Sequence, residues 1–392
     1  MDIIYTLNNL PLYECLLIGL YLLLFVTQLI YYLFLFRKPY RYLSKKKDDT
    51  TKLLNAEDFP GITIIITAKN EAENLRANLP FILEQDYPNF QVVVVNNAST
   101  DSTEDVLNEF FNLYPSKLYV TYIPIDSEAI NNKKLAITVG IKASKHNIVL
   151  FTEPDSKPLS NKWVYEYAKE FINGKDVVLG GFQLKINKSF FQKIILFGNL
   201  SFGIKYLSMA LIKKPYMGIE RNMAYRKSLF YENKGFSSIL NIEYGEDNLF
   251  INKIANKNNT AVIISPESMV ESSIVDRLAT WRTIKGKYLI TKKHLSGPES
   301  KILTFEEISR YGFYFLFLSL FLIGLFHSSY GLILISIALF LIRYIVQLIV
   351  INKNSRLYNA GKYFLTIPFL DLLTPIINLH FLNYEKKRNM KH

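Results

Sequence analysis

Two pairs of closely spaced carboxylates in the sequence could do chemistry. Glu153 and Asp155 lie one residue apart directly after the apolar run 147–152, and backbone alternation lets both side chains face one site. Glu246 and Asp247 are adjacent and precede a segment that we predict to be a helix. Carboxylate oxygens are hard ligands that suit Mg²⁺ or Mn²⁺. We therefore predict that Asp155 and Glu153 bind a divalent cation, the alternative being a solvated loop that carries two acids.

The elements that must position these acids are apolar runs that alternate with helical patterns. The runs have no polar face, which is typical of strands buried in a parallel sheet, and they cover residues 62–67, 91–95, 118–125 and 147–152. Helices are predicted from residue 71, from the capping-type residues 101–104 and over 133–143. This β-α-β-α-β-α-β order predicts a doubly wound, mostly parallel α/β sheet, in which ligands bind beyond the carboxyl ends of the strands.

Three polar clusters lie where predicted strands end, at residues 69–71, 96–97 and 153–155. Neither the G-x-G-x-x-G fingerprint nor a Walker phosphate loop is present in the sequence. The chain has 392 residues, a formal net charge of +12 and one cysteine, Cys15. This composition excludes a disulfide scaffold, a collagen-like repeat and a disordered chain. No nucleic-acid-binding motif accompanies the positive charge, so we expect no nucleic acid partner.

An ordered set of motifs over about residues 60–300 resembles the family 2 glycosyltransferases, which are inverting GT-A enzymes that use nucleotide-diphosphate sugars. Each motif is weak alone, but their order and spacing are specific. In chain order they are Ile64-Ile65-Ile66-Thr67-Ala68-Lys69-Asn70-Glu71, Gln85-Asp86-Tyr87-Pro88, Val94-Val95-Asn96-Asn97-Ala98-Ser99-Thr100-Asp101, Asn132-Lys133-Lys134-Leu135-Ala136, Leu150-Phe151-Thr152-Glu153-Pro154-Asp155, the segment 217–226 and Gly245-Glu246-Asp247.

The resemblance implies roles for residues on both sides of the reaction. Asp247 becomes the general base for the acceptor hydroxyl with Glu246 beside it, the alternative being a carboxylate that only stabilises a helix N-terminus. Lys133 becomes the cation beside the diphosphate. The donor pocket is expected to contain Ala68, Asn70, Glu71, Asn96, Asn97, Lys133, Glu153 and Asp155, and the acceptor side Gly218, Asn222, Tyr225, Lys287 and Tyr288.

Three positions depart from the family pattern. Glu153 replaces an aspartate, and Asn96 or Asn97 replaces the aspartate expected near the nucleotide, which leaves the nucleotide open. The Gln-x-x-Arg-Trp motif of processive members is represented only by Ile284, Lys287 and Tyr288 at that spacing. We therefore expect an enzyme that adds one sugar. The alternatives are a processive polysaccharide synthase and a non-catalytic membrane protein that keeps the GT-A fold.

The apolar residues concentrate at both ends of the chain. Residues 15–36 carry no formal charge and are long enough to cross a bilayer core of about 30 Å. Basic residues follow at 37–47. Because basic residues flank membrane helices on the cytoplasmic side, we predict that the central region of the chain is cytoplasmic. Residues 311–342 are also uncharged and interrupted at 327–331, which predicts a helical hairpin in which Arg343 snorkels to the inner interface. The stretch 363–382 is basic on both sides, so we favour an interfacial or re-entrant segment over a fourth span.

These patterns divide the chain into five parts: an N-terminal transmembrane anchor (1–36), a basic juxtamembrane linker (37–58), a GT-A domain (59–305), a transmembrane hairpin (306–351) and an interfacial segment with a basic tail (352–392). The apolar stretch 190–212 fits either a membrane-facing helix or core packing. Together with the resemblance, this organisation predicts a multi-pass inner-membrane glycosyltransferase with a cytoplasmic catalytic domain, made for cell envelope polysaccharide synthesis. It would use a nucleotide-diphosphate sugar, with a UDP-sugar favoured, and a lipid-linked or glycan acceptor.

Overall fold

The structure of the chain is a computed structural model that describes residues 11–46, 59–124, 132–186, 191–273, 275 and 277–389. Residues 47–58 of the predicted linker and residue 125 of the third predicted strand lie outside the described residues. Seven strands form the main sheet, namely β1 (Ile62–Ala68), β2 (Phe90–Asn97), β3 (Leu118–Ile123), β4 (Ile148–Phe151), β6 (Val177–Gly180), β8 (Met223–Arg226) and β9 (Thr260–Ile263). A small sheet contains β5 (Ser156–Pro158), β7 (Phe182–Leu184) and β10 (Val270–Ser272).

The main sheet has the strand order β3-β2-β1-β4-β8-β6-β9. Strand β1 runs parallel to β2 and β4, β2 runs parallel to β3, and only β8 is antiparallel to its neighbours β4 and β6. Residues of β1 and β2 are buried on both faces, which explains why these strands lack a polar side. The predicted mixed, mostly parallel α/β architecture is confirmed.

Helices connect and cover the strands, and the one predicted over 133–143 is observed at Asn132–Ala143. They are α3 (Ala72–Leu83), α4 (Thr103–Leu113), α5 (Asn132–Ala143), α6 (Trp163–Ile172), α7 (Gln192–Leu211), α8 (Lys227–Glu232), α9 (Asn248–Ile254) and α10 (Leu278–Thr291), preceded by α1 (Leu12–Ile30) and α2 (Lys38–Lys46) and followed by α11 (Pro298–Phe326), α12 (Tyr330–Leu357) and α13 (Thr366–Asn389). The carboxylate of Asp101 accepts hydrogen bonds from Thr103 at the start of α4, as expected of a capping residue.

Four helices in the described part of the chain are long and apolar enough to cross a membrane. They span Leu12–Ser44, which runs from α1 into α2, and Gln192–Leu211 (α7), Pro298–Phe326 (α11) and Tyr330–Leu357 (α12). The first, third and fourth pack together through a separate cluster of buried side chains, which includes Tyr21, Phe313 and Leu332. The chain is therefore a membrane protein in which a helical hairpin follows the α/β region.

The second of these helices, α7, belongs to the core of the α/β region. Its apolar window is 72% buried, and it contacts β7 and β9. Of the two interpretations of residues 190–212, core packing is the one observed.

The expectation that Arg343 snorkels is wrong. Its side chain is 1% exposed and bonds inside the helix bundle to Gln28, Tyr314 and Gln347. These partners lie on three different helices, so the guanidinium is satisfied within the bundle and does not need to reach the interface.

Candidate active site

The carboxyl ends of β1 and β2 meet at one edge of the main sheet, where Ala68 pairs in register with Asn96. Asn70 has a positive φ of 58° and accepts a hydrogen bond from the Thr100 backbone NH at 2.8 Å. Asn96 accepts one from the Ser99 backbone NH at 3.1 Å. The Asn70 side chain therefore joins the loop after β1 to the loop after β2, and the Asn96 side chain holds the loop after β2.

Two predicted donor residues beside these loops have polar groups that can serve a ligand. Asn97 is buried, and among the described residues its Oδ1 has no hydrogen-bond partner. Burial raises the pKa of the Glu71 carboxyl, and the nearby Asp155 carboxylate raises it further against a hydrogen bond from Asn74. Strands β1 and β4 are parallel neighbours, so the residues that follow them meet at this edge of the sheet.

The carboxylates of Glu153 and Asp155, which follow β4, are joined by one guanidinium. Arg221 contacts Glu153 Oε2 at 2.7 Å through Nη2 and Asp155 Oδ1 at 2.5 Å through Nη1. The Nη1 group also donates to the hydroxyl of Ser272 at 2.6 Å, so the arginine is held by the small sheet. A forked guanidinium matches two carboxylates geometrically. The two acids therefore do face one site, as the sequence predicts.

Lys133, at the start of α5, lies among three acids. Its Nζ is 2.8 Å from Glu220, 3.2 Å from Glu153 and 3.8 Å from Glu246. Burial alone would raise the pKa of the Glu153 carboxyl, but Arg221 and Lys133 outweigh it and hold this pKa at about 2. Glu153 is therefore ionised throughout the physiological range.

Asp247 precedes α9, is buried and lines the same pocket as Lys133 and Glu153. Burial and the neighbouring Glu246 raise the pKa of its carboxyl to about 6. Its Oδ1 accepts a hydrogen bond from the Asn248 backbone NH at 2.6 Å, and its Oδ2 accepts one from the Tyr288 hydroxyl at 2.9 Å. A carboxylate whose pKa lies near neutrality is suited to accept a proton. This is the property that the resemblance implies for Asp247.

The loop before Asp247 is fixed by its backbone. Gly245 adopts a φ of 107°, a region that favours glycine. The buried ammonium of Lys134 donates to the backbone carbonyl oxygens of Ile242 and Tyr244. The two lysines at the start of α5 therefore have different roles. Lys133 contacts the carboxylates, and Lys134 holds the loop that carries Glu246 and Asp247.

The predicted acceptor segment 217–226 divides into structural and site-facing residues. The Asn222 side chain bonds to Trp163, Tyr167 and two backbone carbonyls, and the Tyr225 ring packs between Phe151 and Phe250. Gly218 is enclosed by Ile251, Leu179 and Met223. The structure therefore places Gly218, Asn222 and Tyr225 in the core and does not bring them to the pocket.

The same segment supplies two residues that sequence reasoning missed, Glu220, which contacts Lys133, and Arg221, which contacts Glu153 and Asp155. Burial raises the pKa of the Glu220 carboxyl to about 7, with Glu153 and Glu246 adding to the rise and Lys133 opposing it. The available signal was a charged pair within the otherwise apolar stretch Ile219–Ala224, which a core strand does not need.

The remaining predicted acceptor residues, Lys287 and Tyr288 on α10, do line the pocket. They share it with Lys133, Glu153, Glu246 and Asp247. The Lys287 ammonium lies 5.5 Å from the centre of the Tyr244 ring. Two of the three departures from the processive motif, Lys287 and Tyr288, therefore lie at this pocket, where Tyr288 contacts the candidate base directly.

Asp155 is better placed than Glu153 to bind a divalent cation. Among the described residues, no three His, Cys, Asp or Glu side chains could hold a metal by themselves. Both oxygens of Glu153 are engaged by cations, whereas Asp155 uses Oδ1 for Arg221 and remains 25% exposed. Asp155 can therefore bind a cation whose other ligands come from a bound diphosphate.

Comparison with known proteins relates the central segment of the chain to a family. Residues 63–233 match the model of glycosyl transferase family 2. The chain is 26% identical over 127 residues to a poly-beta-1,6-N-acetyl-D-glucosamine synthase of Staphylococcus epidermidis, covering 32% of this chain and 28% of the relative. It is 27% identical over 136 residues to the probable glycosyltransferase YdaM of Bacillus subtilis, covering 34% and 32%. The match thus spans about a third or less of each relative's length.

The fold has a solved counterpart in the mannosyltransferase PcManGT from Pyrobaculum calidifontis, determined in complex with GDP-Man and Mn²⁺. The two superpose with a TM-score of 0.53 over 88% of this chain and 97% of that chain, at 16% sequence identity. This likeness establishes the architecture. The chain contains a glycosyl transferase family 2 domain with the GT-A fold.

Proposed function

We propose that the chain transfers a sugar from a nucleotide-diphosphate donor to a hydroxyl of a lipid-linked or glycan acceptor, with inversion at the anomeric carbon. The observation that carries the proposal is the single pocket in which Asp247, with a pKa of about 6, faces Glu153 and Lys133. A base and a diphosphate-stabilising cation that line one pocket suit a direct displacement.

In the proposed reaction, Asp247 accepts the proton of the acceptor hydroxyl. The acceptor oxygen then forms a bond to the anomeric carbon while the bond from that carbon to the diphosphate oxygen breaks. The leaving nucleoside diphosphate gains negative charge, which the Lys133 ammonium and the Arg221 guanidinium stabilise.

The proposed divalent cation, Mg²⁺ or Mn²⁺, is held by Asp155, and it supplies Lewis-acid neutralisation of the diphosphate when bound. Glu153 instead orients Lys133 and Arg221 through its two oxygens. That PcManGT was solved with GDP-Man and Mn²⁺ supports a nucleotide sugar and a metal as the ligands to test.

We also propose that the catalytic domain faces the cytoplasm at the inner membrane and that one sugar is added per acceptor. The basic cluster after the first apolar helix supports the orientation. Tyr288 and Ile284, which replace the Trp and Gln of the processive motif, support single addition. A relative named as a polymer synthase makes processive synthesis the alternative, and product length separates the two.

A donor screen with the full chain, purified in detergent, tests the proposal. UDP-sugars and GDP-mannose are offered with Mn²⁺, with Mg²⁺ or with chelator, and release of the nucleoside diphosphate is measured. We expect turnover of one donor, stimulation by metal and at least tenfold loss in Asp155→Asn, with Asp105→Asn on the surface of α4 as the control. Absence of both donor binding and turnover, in a folded sample, would instead support a non-catalytic protein.

A further inference from the structure

A second cavity, which we call the groove, adjoins the catalytic pocket. Its walls come from α7, α10, the start of α11 and the middle of α13. Most of the lining is apolar and includes Phe202, Trp281, Ile284, Leu289, Leu295 and Leu303. Helices α7 and α11 are two of the four helices apolar enough to cross a membrane. The groove therefore lies where the α/β region meets apolar helices.

The groove borders the catalytic pocket. Asn248 and Tyr288 line both cavities. The Tyr288 hydroxyl is 2.9 Å from Asp247 Oδ2, so one side chain separates the end of the groove from the proposed base. A ligand in the groove can consequently present a hydroxyl to Asp247.

Charged groups are set into the apolar wall of the groove, and they are predominantly positive. Lys205, Lys285 and Lys292 line it together with one acid, Glu307. Glu307 is already shared, because it contacts Lys205 at 2.7 Å and Lys292 at 3.2 Å. The groove thus contains more positive than negative charge.

Lys285 is the lysine without a counterion. Among the residues that the structure describes, no carboxylate lies within 4.0 Å of its Nζ, which is instead 5.6 Å from the centre of the Trp281 ring. Desolvation and the neighbouring Lys205 lower the pKa of Lys285 to about 8, against an opposing effect of Glu307. A half-buried ammonium in this state gains stability from any anion that enters the groove.

We propose that the groove binds the acceptor, and that this acceptor is a lipid in which a phosphate joins the apolar chain to a hydroxyl-bearing head. The apolar walls take the chain, Lys285 takes the phosphate and the head reaches Asp247 past Tyr288. A glycan alone would leave the apolar walls and the unpaired ammonium without matching groups. This inference rests on the proposed function, since it names the acceptor class for the same site.

Trp281 provides a readout that does not depend on catalysis. The chain has two tryptophans, and the other, Trp163, is fully buried beneath the main sheet. The probe is lysophosphatidylglycerol with a brominated acyl chain, because bromine quenches tryptophan fluorescence at short range. The brominated monoacylglycerol, which has the same chain and no phosphate, is the matched neutral probe. Both are titrated into the full chain in detergent without a sugar donor.

Substitutions at Lys285 separate phosphate recognition from partition into the groove. We expect Lys285→Gln to weaken binding of the phosphate probe by about tenfold or more, because a charge-assisted hydrogen bond in a largely apolar groove is lost. Lys285→Arg keeps the charge and is expected to restore most of the affinity. Lys293→Gln removes an exposed lysine nearby and is the control. In Trp281→Phe the quenching should disappear for both probes.

Two results would overturn the inference. One is equal affinity for the charged and neutral probes with no effect of Lys285→Gln. The other is quenching that persists in Trp281→Phe, which would place the lipid elsewhere. If donor turnover is retained, either result contradicts only the assignment of the acceptor. Transfer to a soluble oligosaccharide would then identify a glycan acceptor.

Selective lipid binding without any donor turnover would contradict the proposed function. The lipid-binding site itself would still be supported.

Discussion

The molecule contains two buried clusters of charged side chains, and they are built differently. The membrane cluster lies between α1, α11, α12 and α13, and it pairs two acids, Glu306 and Asp371, with two arginines, Arg310 and Arg343. Glu306 also contacts Lys205 at 3.3 Å, and Glu307 shares that lysine, so acids and cations are balanced there too. The catalytic cluster places five acids around three cations: Glu153, Asp155, Glu220, Glu246 and Asp247 with Lys133, Arg221 and Lys287.

Hydrogen bonding sharpens the contrast. In the membrane cluster, Asp371 accepts from Arg310 at 2.9 Å, from Tyr314 at 3.0 Å and from Gln347 at 2.6 Å. In the catalytic cluster, burial and like charge hold the pKa values of Glu220 and Asp247 far above those of ordinary carboxyls. Buried acids that are matched by cations hold packed helices in one arrangement. Buried acids in excess over cations have shifted pKa values, which is typical of catalytic sites. The first therefore positions helices, and the second is suited to chemistry.

The largest effect on stability is expected from breaking the balanced cluster. Asp371→Asn leaves two buried arginines with one fewer negative charge, and loss of one member of a buried ion pair costs about 3–5 kcal/mol. Thermal unfolding in detergent measures this loss. The control is Asp176→Asn, which removes an exposed pair with Arg226 and should change stability by less than about 1 kcal/mol. Equal melting temperatures for the two variants would remove the structural role of the membrane cluster.

Removing a cation from the unbalanced cluster should affect turnover more than stability. Lys133→Met leaves Glu153, Glu220 and Glu246 without their shared ammonium. We expect turnover to fall by about 100-fold, on the scale seen when a charge-stabilising group is lost. Lys142→Met, on an exposed position of the same helix, is the control. Turnover within threefold of wild type would show that Lys133 does not serve the diphosphate.

Tyr288→Phe tests how the candidate base is tuned. Asp247 must be ionised to accept a proton, so kcat/KM should rise with pH through about 6 in the wild type. The Tyr288 hydroxyl stabilises the carboxylate, and its removal should raise the pKa of Asp247 further. The acidic limb of the profile is then expected to move to higher pH, while Tyr119→Phe at an exposed position leaves it in place. A limb that moves to lower pH would contradict this arrangement.

The smallest effect is expected where α13 reaches the catalytic loop. Arg388 lies 3.2 Å from Glu243 and also bonds to the Tyr244 hydroxyl, two residues before Glu246. We expect Arg388→Gln to lower turnover about threefold by loosening a partly exposed contact. Lys387→Gln, which is exposed, should have no effect. A loss as large as that of Lys133→Met would make α13 part of the catalytic machinery.

Sequence reasoning succeeded where the chemistry follows local pattern. Strands without a polar face predicted the parallel sheet, and the position of Glu153 and Asp155 after a strand predicted that both face one site. Motif order then pointed to Lys133 and Asp247, which the structure brings into one pocket.

Side-chain direction in the segment 217–226 could not be predicted in the same way. Asn222 and Tyr225 turn into the core, while Glu220 and Arg221 between β7 and β8 turn to the catalytic cluster. The three-residue helical turn at Glu220–Asn222 sets these directions, and it depends on partners far away in sequence, such as Trp163 and Ser272. The error about Arg343 has the same origin, since its partner Gln28 lies 315 residues away.

The central claim is that the excess of buried acids in the catalytic cluster increases turnover and lowers the stability of the fold. The variant Asp247→Asn tests this claim most directly. Because burial raises the pKa of this acid from its ordinary 3.8 to about 6, its ionised form destabilises the fold at pH 8. With turnover and melting temperature measured together at pH 8, we expect turnover to fall about a thousandfold while the melting temperature stays equal or rises. Near-normal turnover accompanied by a lower melting temperature would contradict the claim.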